Sequence, residues 1–223
     1  MKTIVMSLGG SIIVPEKIDV EFLKKFRKVI LNFVSKGNKV IIITGGGKTC
    51  RVYNLAAEKI VKPSHTDLDW MGIAATKLNG ELIRVMFGKI AHKKIVPDYN
   101  TKGIKSKIII GSGHLPGCSS DLDAVMWAKN YKADYVINLS DVDYIYDKNP
   151  KLKDAKPLPE LTWNQMQKLV GTKWKAGANF PFDPIATKLC KKLKLKLVFM
   201  NGRNIKNIDN FLKGKKFKGS LVE

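Results

Sequence analysis

Three glycine clusters carry most of the chemical information in this 223-residue sequence: Gly9-Gly10-Ser11, Gly45-Gly46-Gly47-Lys48 and Gly111-Ser112-Gly113. Each follows a short apolar run. Glycine there lets backbone N–H groups approach an anion that a side chain would hold off, and a helix starting just beyond adds its positive end. A tight turn accounts for one such cluster; three of them at strand ends point to a phosphate site. Gly47-Lys48-Thr49 ends like a Walker A loop, but the first glycine of that motif falls at Ile42, inside an apolar run, and the spacing fails. His65, His92 and His114 are scattered, as are Cys50, Cys118 and Cys190 with no C-x-x-C pair. They give no support to a histidine-rich metal site or a dithiol redox centre.

The elements that must position these clusters are legible from periodicity. Thr3–Met6, Lys39–Thr44, Lys107–Ile110, Tyr135–Leu139 and Leu195–Met200 are continuously apolar, as strands buried on both faces are. From Asp19 to Lys36, Phe22, Leu23, Phe26, Val29, Ile30, Phe33 and Val34 keep helical spacing and Gly37 supplies a stop. Further helical patterns cover 48–60, 67–86, 122–129, 163–169, 184–193 and 205–212. The alternation predicts an α/β fold, a three-layer αβα sandwich with a mainly parallel central sheet, in one domain spanning 1–223. Lys148 to Pro159, rich in proline and charge, is expected to be a long exposed loop.

The chain is 44% hydrophobic and 26% charged, with a net charge of +21 and a pI near 9.8. Such basicity invites a nucleic-acid reading. Only Arg27, Arg51, Arg84 and Arg203 are arginines, however, and the rest of the positive charge is lysine, much of it at exposed helix positions. A solvated lysine surface that draws in anionic substrates is the expectation, not a nucleic-acid partner. No run approaches the ~18 apolar residues of a membrane span, and the first residues lack a signal-peptide pattern, so a cytoplasmic location is expected.

In order along the chain, the sequence carries Gly9-Gly10-Ser11, then Gly45-Gly46-Gly47-Lys48 with Arg51, then Asp69 in Asp69-Trp70-Met71-Gly72-Ile73. There follow Pro116-Gly117-Cys118-Ser119-Ser120-Asp121, Ser140-Asp141-Val142-Asp143-Tyr144-Ile145-Tyr146 with Asn149-Pro150, and Asp183-Pro184-Ile185-Ala186-Thr187-Lys188. This series resembles the amino-acid kinases over nearly the full length, and within them the archaeal-type UMP kinases. The resemblance implies that the part up to about residue 130 takes the acceptor UMP and the part from about 131 takes ATP. It implies ATP phosphates at Gly10, Ser11, Gly47 and Arg51, and an ATP nucleoside pocket at Ser140, Asp141, Tyr146 and Asn149. UMP would be held by Gly46 and by His114, Leu115, Pro116, Gly117, Cys118, Ser119 and Ser120, with Asp69 on the ribose hydroxyls. Asp69 could instead cap its helix, and Tyr146 could be a core aromatic. It also implies a homo-oligomer, a hexamer built from dimers. Many members of the wider family carry a lysine two residues before the first glycine; here that position is Ser7.

Bringing two phosphates together costs about 4 kcal/mol for each unit-charge pair at ~4 Å and an effective dielectric of ~20. A helix N-terminus offsets only about 0.3 to 1 kcal/mol, so Mg2+ with ATP and positioned cations are required. Lys48, Arg51 and Lys188 are the cations nearest the motifs, and Asp121 and Asp183 are candidates for organising magnesium or lysine, or for capping helices. The acceptor phosphate is already a nucleophile, so direct in-line transfer is expected. The competing readings are a relative acting on isopentenyl phosphate, carbamate or an amino acid, and a basic nucleic-acid-binding protein on the same fold.

Overall fold

Strands form where the chain is apolar on both faces, and helices where it is apolar on one. The computed structural model describes residues 1–173 and 180–223. β1 (Thr3–Leu8), β2 (Lys39–Thr44), β3 (Ile108–Gly111), β4 (Tyr135–Ser140) and β8 (Leu197–Asn201) are parallel, in the spatial order β3-β2-β1-β4-β8. Beyond β8 the sheet continues with β9 (Ser220–Val222), antiparallel to β8, and β7 (Glu160–Leu161), parallel to β9. A separate hairpin pairs β5 (Ile145–Tyr146) with β6 (Pro157–Leu158).

Alternate side chains of one strand enter two different cores. Ile4, Met6 and Leu8 of β1 meet Phe22, Phe26 and Ile30 of α2 (Val20–Ser35), together with α4 (His65–Phe87) and α8 (Ile205–Leu212). Val5 of β1, with Ile41 and Ile43 of β2, meets Val125 and Trp127 of α5 (Ser120–Tyr131), Met166 of α6 (Trp163–Val170) and Cys190 of α7 (Pro184–Leu193). Phe26, Ile30 and Trp127 are fully buried, and each large apolar side chain so placed contributes about 1.5–3 kcal/mol. The result is the three-layer sandwich read from the periodicity. α1 (Gly10–Ile13) is one short turn after β1, and α3 (Gly47–Ile60) packs on α4 with no buried residue of its own.

Capping explains where the helices begin. Asp19 accepts from the Phe22 N–H at 3.0 Å, Ser64 and Asp67 form a reciprocal box at the start of α4, and Thr162 and Gln165 do the same for α6. Asp183 receives the Ile185 and Ala186 N–H groups, with Pro184 in the first helical position of α7. Gly37, at φ 87°, sits just beyond the C-terminal cap of α2. Three differences from the sequence expectation stand out. β3 and β8 start one and two residues later than their apolar runs, α4 starts two residues earlier because its cap is Ser64, and the exposed loop from Lys148 ends in β6. Among the described residues no helix is long and apolar enough to cross a membrane.

Candidate active site

The connections leaving β1 and β4 run to opposite sides of the sheet, so a crevice opens beyond their carboxyl ends. Gly9-Gly10-Ser11 leaves β1 there, with the Gly9 N–H donating to Leu139 O of β4 at 3.3 Å. Gly45-Gly46-Gly47 leaves the neighbouring β2, and the two loops touch backbone to backbone. A Cβ on Gly10 would stand 2.0 Å from Gly47 N, one on Gly45 would stand 2.4 Å from Gly10 N, and Gly47 has φ 63°. These three glycines are therefore required first for the loops to pack on each other. Gly46 differs, because its added Cβ would meet Cys50 at 2.7 Å, within the packing of α3 on α4. The first turn of α3 then offers N–H groups with no partner inside the helix.

α4 ties the second and third glycine loops down. Asn79, buried on it, donates to Gly45 O at 2.7 Å and Gly46 O at 3.1 Å; Thr76 Oγ1 accepts the Gly113 N–H at 2.9 Å. Thr44 at the end of β2 donates to Thr76 O and lies within bonding distance of Gly111 O. Asp69 stands five residues beyond the cap Ser64, so capping is not its role, and its Oδ2 accepts the Gly117 N–H at 2.8 Å across the cleft. The loop His114–Ser120 thus lies opposite Asp69. Leu115 and Gly117 are exposed, while Pro116, Cys118 and Ser120 are half-buried. His114 packs edge-on to Tyr99 at 5.3 Å and its Nε2 is 3.8 Å from Asp98.

On the other side, Ser140 ends β4, its carbonyl accepts from Gly202 N–H at 2.8 Å, and its hydroxyl lies 3.3 Å from Asp141. Tyr146 is half-exposed on β5 and meets Tyr144 edge-on at 6.4 Å, so it is no core aromatic. Asp143 joins this side, accepting from Lys218 at 2.6 Å and Asn201 at 3.1 Å. Asn149 is exposed, and its side chain accepts the Lys151 N–H at 3.0 Å in the following turn. Arg203, after β8, donates to Ser11 O at 3.0 Å and braces the first glycine loop.

The charged candidates divide sharply. Lys48 is half-exposed and pairs with the open Glu16 at 2.9 Å; Arg51 on α3 and Lys188 on α7 are exposed. Asp121 accepts from Ser7 at 3.1 Å and Asn138 at 2.9 Å, which seats it between the ends of β1 and β4. Burial pushes its carboxyl up to about 7, helped by the charge of Asp183 and opposed by the Ser7 and Asn138 hydrogen bonds. Asp183 is buried and doubly used: Oδ1 caps α7 at 2.6 and 2.8 Å, and Oδ2 accepts the Ser119 hydroxyl at 2.7 Å. Asp123 is fully buried on α5 with neither carboxylate oxygen in hydrogen-bonding geometry among the described residues; burial lifts it to about 7, opposed by the nearby His114 backbone. The roles of Ser7, Asn138, Thr76, Asn79 and Arg203 escape sequence reasoning, because the partners of all but one lie more than thirty residues away.

Glycine loops meeting at the switch point of a parallel sheet, with carboxylates and lysines around them, define an α/β enzyme built to bring phosphates together. Residues 2–109 and 107–201 match the Amino acid kinase family, and the chain belongs to that family. A uridylate kinase of Sulfolobus acidocaldarius is 32% identical over 209 residues, 91% of each chain. One of Sulfurisphaera tokodaii is 32% identical over 227 residues, covering 99% of this chain and 98% of its own. The crystal structure of uridylate kinase from Archaeoglobus fulgidus superposes with a TM-score of 0.85 at 31% identity, over the whole of both chains.

Proposed function

We propose that this chain is a UMP kinase, transferring the γ-phosphate of ATP to the phosphate of UMP to give UDP and ADP reversibly. The observation that carries the reading is similarity to uridylate kinases over 91–99% of the chain, which takes in both sides of the crevice. UMP lies on the side of Asp69, with its phosphate at Gly46 and its nucleoside along His114, Leu115, Pro116, Gly117, Cys118, Ser119 and Ser120. ATP lies on the side of Ser140, Asp141, Tyr146 and Asn149, with its phosphates at Gly10, Ser11, Gly47 and Arg51.

Mg2+ bound with ATP would supply neutralisation of charge on its phosphates. Among the described residues no group of three His, Cys, Asp or Glu could hold a metal, and both oxygens of Asp183 are already committed. The chain's own share is therefore positional and cationic. Lys48 exchanges the weak, exposed contact to Glu16 for phosphate, and Lys188 approaches from α7. Asp121, fixed by Ser7 and Asn138, holds the floor between the two phosphates.

Self-association into a homo-oligomer, a hexamer in the first instance, belongs to the same proposal. It is supported by the apolar outer side of α3 and α4, where Val52, Tyr53, Leu55, Ile60, Trp70, Leu78 and Val85 are all exposed. Size-exclusion chromatography with light scattering tests it. The function is tested by a panel of acceptors under Mg–ATP: UMP, CMP, dUMP, carbamate and isopentenyl phosphate. UMP is expected to give the highest kcat/KM; a better acceptor without a nucleoside would overturn the assignment.

A further inference from the structure

Ser119 stands where the acceptor loop becomes α5, and its hydroxyl makes two bonds at once. It accepts the Leu122 N–H at 3.1 Å, which caps α5, and donates to Asp183 Oδ2 at 2.7 Å, 64 residues away. The other oxygen of Asp183 holds the first turn of α7 through Ile185 and Ala186. Two residues before Ser119, the Gly117 N–H is bonded to Asp69 on α4. A short chain of contacts therefore runs from α4, through the acceptor loop, to the helix that carries Lys188, and α5 packs directly on α7.

From this geometry we infer that Ser119 is a positioning residue that couples the two substrate sites, so that acceptor binding and donor binding reinforce each other. The inference rests on the functional reading above and extends it. Seating UMP against Asp69 and the loop fixes Gly117–Ser119; Ser119 then fixes the start of α7 through Asp183, and α7 presents its lysine to the donor phosphates. Coupling is reciprocal, so ATP must tighten UMP by the same factor. A serine that merely caps α5 predicts no such linkage, because a cap acts equally whether or not the second site is filled.

The test is calorimetric titration of UMP into the full chain, with and without saturating Mg2+ and the β,γ-imido analogue of ATP. Wild type is expected to bind UMP about tenfold more tightly when the analogue is present. Ser119→Ala and Ser119→Gly should each bring that ratio close to one, and Ser119→Thr should keep it. Glycine caps a helix nearly as well as serine, so Ser119→Gly removes the hydroxyl while leaving the starts of α5 and α7 in place, and the test survives a failure of Ser119→Ala to fold. A wild-type ratio of one, or an unchanged ratio in Ser119→Gly, would overturn the coupling. So would an equal loss of UMP affinity in Ser119→Ala with and without the analogue, which would give the hydroxyl itself, and not only the Ser119 backbone along which UMP lies, to the acceptor. Absence of UMP binding by wild type under both conditions would instead overturn the functional reading itself.

Discussion

Replacing Asp123 with Asn should make the protein more stable at alkaline pH and leave it no better off in acid. Asp123 is fully exposed to water in the unfolded chain and fully buried in the fold, where neither carboxylate oxygen has a partner in hydrogen-bonding geometry among the described residues. Its proton is released near 3.8 when unfolded and near 7 when folded. Between those values the folded state binds more protons, so this residue's contribution to stability is intact below pH 3.8 and is lost as pH rises through about 7. That interval of roughly three pH units is worth ~4 kcal/mol, or on the order of 10 °C in Tm for a chain of this size. Asn keeps the shape and never ionises. Its amide carries a burial cost of its own, but that cost is the same at every pH. The assay is thermal unfolding of both proteins from pH 4.5 to 8.5, with the difference in Tm plotted against pH. Subtraction removes the common effects of lysine repulsion and of Asp121, which titrates in the same range. The variant should gain steadily on wild type up to about pH 7.5. A difference that stays flat would mean that Asp123 reaches water or a partner, and the reasoning would fail.

Asp69→Asn keeps the side-chain shape but removes charge assistance worth about 1 to 3 kcal/mol, so UMP affinity should fall about tenfold or more while binding of an ATP analogue barely changes; calorimetry reads both. Lys48→Ala and Lys188→Ala should lower kcat by at least about tenfold with little change in ATP affinity or Tm, since Lys48's partner Glu16 is exposed. Near-normal turnover in both would remove them from the site. Gly10→Ala places a methyl 2.0 Å from Gly47 N and should cost about 1–3 kcal/mol together with activity, whereas Gly37→Ala, with open space around it, should cost only the ~1 kcal/mol of its positive φ. Chemical denaturation compares the two.

The sheet and its main helices were legible because each owes its pattern to its own burial: Ile41, Ile42 and Ile43 are apolar in succession since both faces of β2 are covered. β9 was not, because three residues become a strand only by pairing with Leu197–Phe199 on one side and Glu160–Leu161 on the other, both well back in the chain. The glycine loops were recognisable, yet the reason for their glycines was only partly so. Gly10 and Gly47 exclude a Cβ because they face each other, a contact between the turns that follow two different strands, which local sequence does not display. A side chain at Gly46 would likewise meet Cys50 on the following helix, a contact that the sequence of the loop does not display. Asp123 was hidden for a similar reason: an aspartate in the first turn of a helix reads as a favourable exposed charge, and only the fold puts it inside.

The most direct test of the account is phosphorus NMR of the purified chain with UMP and Mg–ATP. The account predicts loss of the γ-phosphate signal of ATP with the appearance of UDP and ADP in equal amounts, and the reverse reaction from UDP and ADP. Conversion of ATP to inorganic phosphate without UDP, or no turnover with UMP while another acceptor is phosphorylated, would contradict it.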